Sequence, residues 1–124
     1  MIFLLNGKNL STDEKTYFLD VKSDSWYKRY VNTALENNII SRSSHFNPNM
    51  SLTRVEGLKM ILLSVLGTFS LKYSGKFLDV KSSDWFSSYT EYADRNGLIK
   101  DLENYFYPTK KLTRLEIMYI LYKI

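Results

Sequence analysis

The chain has 124 residues, 44% of them apolar and 24% charged, which is enough apolar sequence to form the core of a folded domain. It contains no cysteine and one histidine, His45, which excludes disulfides and cysteine nucleophiles and argues against histidine metal clusters and catalytic triads. The net charge of +4 favours an anionic partner but does not choose among nucleic acid, anionic lipid and acidic glycan.

The chain contains an internal repeat. Segment 18–23, with the sequence FLDVKS, recurs unchanged at 77–82, and after one inserted residue segment 52–54 recurs at 112–114. The matched positions between these segments are Trp26 with Trp85, Tyr30 with Tyr89, Ala34 with Ala93, Ile40 with Ile99, Phe46 with Phe106 and Pro48 with Pro108. We assign residues 1–16 to the end of a preceding repeat and a connector, residues 17–75 to repeat 1 and residues 76–124 to repeat 2.

Residues 1–5 are predicted to supply part of a third helix, because Met1-Ile2 aligns with Met60-Ile61 at the offset of 59. The first helix of each whole repeat is predicted to follow the N-capping residues at 24–25 and 83–84. Its apolar side chains from Trp26 to Leu35 recur at helical spacing, which predicts that the tryptophans belong to the core. Asn37-Asn38 and Asn96-Gly97 are the predicted stops, since both residue types tolerate the left-handed conformation.

The second helix of each repeat opens with a capping box. Thr53 and Thr113 are predicted to accept a hydrogen bond from the backbone three residues on, while Glu56 and Glu116 reach back to the threonine N–H. Apolar residues then cover most sides of the helix, so we predict that it occupies a central, buried position. The predicted fold is therefore all-α, with tandem helix–loop–helix repeats packed around a central helical bundle.

These motifs resemble the S-layer homology repeat of bacterial cell-surface proteins. The family pattern is Phe-x-Asp-Val, a Trp near a helix start, Phe-x-Pro, and a Thr-Arg-Ala-Glu box. The first copy carries it at 18–21, 26, 46–48 and 53–56, and the second copy carries it at 77–80, 85, 106–108 and 113–116. The resemblance covers roughly residues 17 to 124.

The resemblance implies a non-catalytic anchor that binds anionic, commonly pyruvylated, secondary cell-wall polysaccharide in grooves between repeats. It places Arg54 and Arg114 as carboxylate contacts, because they stand where the family's box has its arginine. A position just inside a helix start also suits an anion. We expect Lys110 and Lys111 to raise the local anion affinity, and Trp26 and Trp85 are candidates for stacking on a sugar ring.

Alternatives to these roles remain open. Arg54 and Arg114 could instead form salt bridges, with Asp20 or Asp79 as partners, and those aspartates are better explained as turn or cap acceptors than as calcium ligands. The loops before Phe46 and Phe106 lack the family's glycines, and the third repeat is absent. The alternative function is therefore an interaction or self-assembly module that has lost glycan binding, in which the incomplete repeat leads to a homo-oligomer.

The remaining expectations concern cofactors and location. No cofactor or metal is implied, and we expect neither a nucleic-acid partner nor membrane insertion, because no run of like charges and no long apolar stretch is present. The resemblance implies the bacterial cell envelope. The first residues lack the features of a signal peptide, so we expect the secretion signal to lie outside this chain.

Overall fold

The structure, a computed structural model, describes residues 9–100 and 102–124. This part of the chain contains four α-helices and no strand, which confirms the predicted all-α fold. The helices are α1 (Lys28–Glu36), α2 (Arg54–Leu66), α3 (Ser87–Arg95) and α4 (Arg114–Lys123). The helix predicted for residues 1–5 lies outside the described residues. None of the four is long and apolar enough to cross a membrane.

The chain divides into two compact units that alternate along the sequence. Among the described residues, unit 1 comprises 9–50 and 60–67, and unit 2 comprises 51–59, 68–100 and 102–124. In unit 1, Phe18, Val21 and Val31 form a buried cluster, and the ring of Phe46 packs 5.7 Å from that of Phe18. The corresponding pair in unit 2 is Phe77 and Phe106, with ring centroids 5.3 Å apart.

The first helix of each repeat ends as predicted but begins later than predicted. Asn38 and Gly97 have φ values of +56° and +60°, the left-handed conformation expected after a helix. At the other end, the N-cap residues are Tyr27 and Phe86, and neither makes a side-chain capping bond. The prediction of caps at 24–25 and 83–84 is wrong, because the carboxylate of Asp84 instead accepts the N–H of Lys81 within a preceding turn.

Two aspartates fix the loop that precedes each second helix. Asp20 accepts the N–H groups of Phe46 and Asn47 at 2.8 and 2.7 Å, and Asp79 accepts those of Phe106 and Tyr107 at 2.8 Å each. The Phe46 N–H is the main cause that lowers the pKa of Asp20 below its ordinary value. The aspartates are therefore hydrogen-bond acceptors, but their donors lie 26 to 28 residues away rather than in a local turn or cap.

The two second helices differ in burial although their sequences correspond. In α2, Val55, Leu58 and Leu62 lie on one face and are almost completely buried. The prediction of a buried second helix is therefore right for α2. It is wrong for α4, where only Ile120 is buried and the residues equivalent to the α2 set face solvent. The exposed fractions of that set are 79% for Leu115, 61% for Met118 and 83% for Tyr122.

Candidate functional site

Within unit 2, the first turn of α2 pairs with the segment that leads into α4. The N–H of Arg54 donates to the carbonyl of Lys110 at 2.7 Å, and the N–H of Leu112 donates to the carbonyl of Leu52 at 3.0 Å. Gly57 permits this close approach, since a Cβ at that position would lie 2.3 Å from Cδ2 of Leu112. The pairing places the Arg54 side chain against the Phe-x-Pro loop of repeat 2.

The Arg54 side chain is buried and largely engaged. Its Nη1 donates to the carbonyl oxygen of Phe106 at 2.5 Å, and its Nη2 forms an ion pair with Glu116. The guanidinium also lies over the Phe106 ring, 5.8 Å from its centroid. The remaining nitrogen, Nε, is buried without a hydrogen-bond partner. These two bonds, here called the Arg54 clasp, link the first turn of α2 to repeat 2, and the guanidinium also supplies positive charge.

Arg54 also lines an open pocket of about 550 Å³ in unit 2. The pocket is bordered by two further cations, Lys100 and Lys110, and by two tyrosine rings, Tyr107 and Tyr119. The Nζ atom of Lys100 lies 5.0 Å from the centroid of the Tyr119 ring. The other lining residues are Leu98, Ile99, Leu102, Thr113, Leu115 and Glu116. Among the described lining residues, three cations against one carboxylate leave a positive pocket with aromatic walls.

Glu116 is the carboxylate of this pocket, and its charge is already satisfied. Burial acts to raise its pKa, but the Thr113 N–H, at 2.8 Å, and the Arg54 guanidinium outweigh that effect and hold the pKa below its ordinary value. Glu116 is therefore ionised at neutral pH and bonded to two donors. A ligand anion would meet the lysines as the accessible positive groups.

The four predicted capping residues make the bonds that a capping box requires. In α4, the hydroxyl of Thr113 accepts the N–H of Glu116 at 3.1 Å. In α2, the hydroxyl of Thr53 accepts the N–H of Glu56 at 3.3 Å, and the Glu56 carboxylate accepts the N–H of Thr53 at 2.9 Å. Among the described residues, Glu116 alone of the four has an arginine as an additional partner. The alternative role of Arg54, a salt bridge, is therefore observed, but with Glu116 in place of Asp20 or Asp79.

The structure brings two of the predicted glycan contacts together and leaves four apart. Arg54 and Lys110 share the pocket, whereas its lining includes neither Lys111 nor Arg114, both of which are exposed. Trp26 and Trp85 also lie outside it. The pocket residues that sequence reasoning missed are Lys100 and Tyr119. No sequence signal marks either residue, since Tyr119 aligns with Lys59 and the repeat therefore preserves no aromatic residue at that position.

Both tryptophans are exposed, which overturns the expectation that they belong to the core. Trp26 is 83% and Trp85 55% exposed, because each stands in the turn before its helix rather than on the packed helical face. Each makes an edge-on contact with the next ring, Tyr27 at 5.5 Å or Phe86 at 5.3 Å. The Nζ atom of Lys59 lies 5.4 Å from the Trp85 ring. The tryptophans are available to a ligand.

Comparison with known proteins gives consistent matches along the chain. The family model of the S-layer homology domain matches residues 17–56 and 76–118. Endo-1,4-beta-xylanase A of Thermoanaerobacterium saccharolyticum is 31% identical over 116 residues, which are 92% of this chain and 10% of the xylanase. The surface-layer 125 kDa protein of Lysinibacillus sphaericus is 34% identical over 104 residues, 79% of this chain and 8% of that protein. The chain thus spans about a tenth or less of these relatives.

Proposed function

The chain belongs to the S-layer homology family, and we propose that its Arg54 pocket binds a pyruvylated secondary cell-wall polysaccharide. Domains of this family are non-catalytic modules that anchor surface proteins to the bacterial cell envelope. The proposal adds the ligand and the site to that general role. The pocket combines Arg54 of repeat 1 with residues of repeat 2, which is the arrangement that an inter-repeat groove requires.

The observation that carries the proposal is the excess of positive charge among the described residues that line the pocket, together with its two tyrosine rings. Lys100 and Lys110 are exposed and free to donate charged hydrogen bonds to a pyruvyl carboxylate. The rings of Tyr107 and Tyr119 offer apolar faces to the sugar and hydroxyls to its polar edge. Arg54 contributes positive charge from within the wall, because two of its nitrogens are committed to protein acceptors.

The other predicted contacts belong to the proposal as outlying groups. Trp85, with Lys59 beside it, combines an aromatic surface with a cation in unit 2, and Trp26 offers a similar surface in unit 1. A polysaccharide presents several sugar residues, so separate groups of the protein can contact the same polymer. We propose that Arg114 and Lys111 act through their charge, which attracts an anionic polymer to the surface.

A pair of lysine variants tests the site without disturbing the clasp. The purified chain is titrated with pyruvylated wall polysaccharide in a calorimeter, and Lys100→Ala with Lys110→Ala is expected to weaken binding by at least about tenfold, since each charged hydrogen bond contributes about 1.5 to 3 kcal/mol. The matched control is Lys22→Ala with Lys81→Ala, which removes the same charge from exposed positions outside the pocket. If the two double variants bind equally well, the pocket is not the site.

A further inference from the structure

The exposed face of α4 has a buried counterpart in the same chain. Arg114, Leu115, Met118 and Tyr122, here called the distal surface, are the repeat-2 equivalents of Arg54 and of the buried α2 residues. Within the described residues, the Arg114 guanidinium has no ion pair or hydrogen bond, whereas that of Arg54 has two partners. The distal surface therefore repeats the chemistry of the α2 face without its partner.

The first turn of α2 shows what such a face accepts. It receives the backbone of Lys110 and Leu112, the Leu112 side chain over Gly57, and the carboxylate of Glu116. All of these groups belong to repeat 2 and to unit 2. The partner of an arginine-bearing helix start is thus the segment that leads into the second helix of another repeat, together with its capping glutamate.

In repeat 1 the same element pairs with repeat 2 through its backbone, since the Leu52 carbonyl accepts the Leu112 N–H, but the side chains of Leu52 and Glu56 remain exposed. Leu52 and Glu56, here called the proximal surface, correspond to Leu112 and Glu116, and both are exposed. The Oε2 atom of Glu56 accepts the Thr53 N–H, as the same atom of Glu116 accepts the Thr113 N–H. Its second oxygen, which in Glu116 meets Arg54, has no partner among the described residues. Arg114 and the second carboxylate oxygen of Glu56 therefore correspond to the two partners of the Arg54–Glu116 ion pair, and neither has a partner among the described residues.

We propose that the distal surface of one copy of this chain docks onto the proximal surface of a second copy. Arg114 pairs with Glu56 of the second copy as Arg54 pairs with Glu116 within the chain. Leu115, Met118 and Tyr122 lose their exposure in the contact. Because the two surfaces differ, the interface is head-to-tail and its repetition gives a closed ring or an open chain.

One residue makes this contact weaker than its counterpart within the chain. The position of Gly57 is taken in α4 by Ile117, so the incoming Leu52 cannot approach as closely as Leu112 approaches Gly57. We expect Ile117→Ala to lower the dissociation constant of self-association. An unchanged or higher dissociation constant, with the helix content retained, would contradict the proposed register.

Analytical ultracentrifugation of the purified chain, with no polysaccharide present, tests the proposal. The average mass is expected to rise with concentration, and Met118→Glu or Leu52→Glu alone is expected to give a monomer. Met118→Glu keeps its proximal surface and Leu52→Glu keeps its distal surface. A mixture of the two variants is therefore expected to give a 1:1 dimer. Leu78→Glu is the matched control, because Leu78 is 71% exposed and outside both surfaces, and it should associate like the unaltered chain.

Three results would overturn the proposal. The first is an unaltered chain that remains monomeric at the highest concentration it reaches. Alternatively, Met118→Glu associates as well as Leu78→Glu, or the mixed variants remain monomeric although circular dichroism shows each to be folded. Arg114→Ala provides a second variant of the distal surface, with an expected weakening of the association and no change in fold.

Discussion

The replacement of Arg54 by alanine tests the clasp between α2 and repeat 2. The substitution removes the donor to the Phe106 carbonyl and the ion-pair partner of Glu116, both of which lie in the buried part of unit 2. Loss of one partner from a buried ion pair costs about 3 to 5 kcal/mol. Glu116 keeps the Thr113 N–H and part of its solvent contact, so we expect the low end of that range, about 3 kcal/mol.

Urea unfolding followed by circular dichroism measures this change. With a denaturant slope of about 1 to 3 kcal/mol per molar, the midpoint should fall by roughly 1 to 3 M. The matched control is Arg114→Ala, which alters the same motif position on an exposed residue and should change the free energy of unfolding by no more than about 0.5 kcal/mol. If the two variants unfold at the same urea concentration, the reasoning about the clasp is wrong.

Two further predictions follow from burial and from charge. Trp26→Ala should change the free energy of unfolding by less than about 1 kcal/mol, because the ring is exposed. Phe106→Ala should lower it by about 3 to 5 kcal/mol, because that ring is completely buried. Equal losses for the two variants, measured by thermal unfolding, would contradict the structure. The pKa of Glu116 is lowered by folding, so its bonds stabilise the fold above its ordinary pKa of 4.5, and this contribution is lost as the pH falls through the lower folded value. Glu116→Gln, which can keep the capping bond, should make the free energy of unfolding less dependent on pH below 4.5, and an unaltered acid dependence would count against the ion pair.

Much of the fold could be predicted because its signals are local. The left-handed stops at Asn38 and Gly97 and the capping boxes depend on residues within a few positions of one another. The late starts of α1 and α3 were missed, since Asp84 accepts a backbone N–H in a turn instead of capping a helix. That same shift moves Trp26 and Trp85 off the packed helical face, so the core positions that their spacing suggested are wrong.

The features that sequence could not supply depend on distant partners. The acceptors of Arg54 lie 52 and 62 residues away, so its burial and its clasp could not be inferred from the Thr-Arg-x-Glu box. Corresponding sequences also leave α2 buried and α4 exposed, because burial is decided by which segment packs on a helix. Lys100 and Tyr119 join Arg54 only through the pairing of α2 with the segment before α4.

The most direct test of the proposed anchor function compares one polysaccharide in two chemical states. Calorimetric titration of the purified, folded chain would use pyruvylated wall polysaccharide beside the same polymer stripped of its pyruvyl groups. Binding to the pyruvylated polymer alone is the predicted result, because the proposed contact of the pocket lysines is the pyruvyl carboxylate. Equal binding to both polymers, or binding to neither, would contradict recognition of the pyruvyl group.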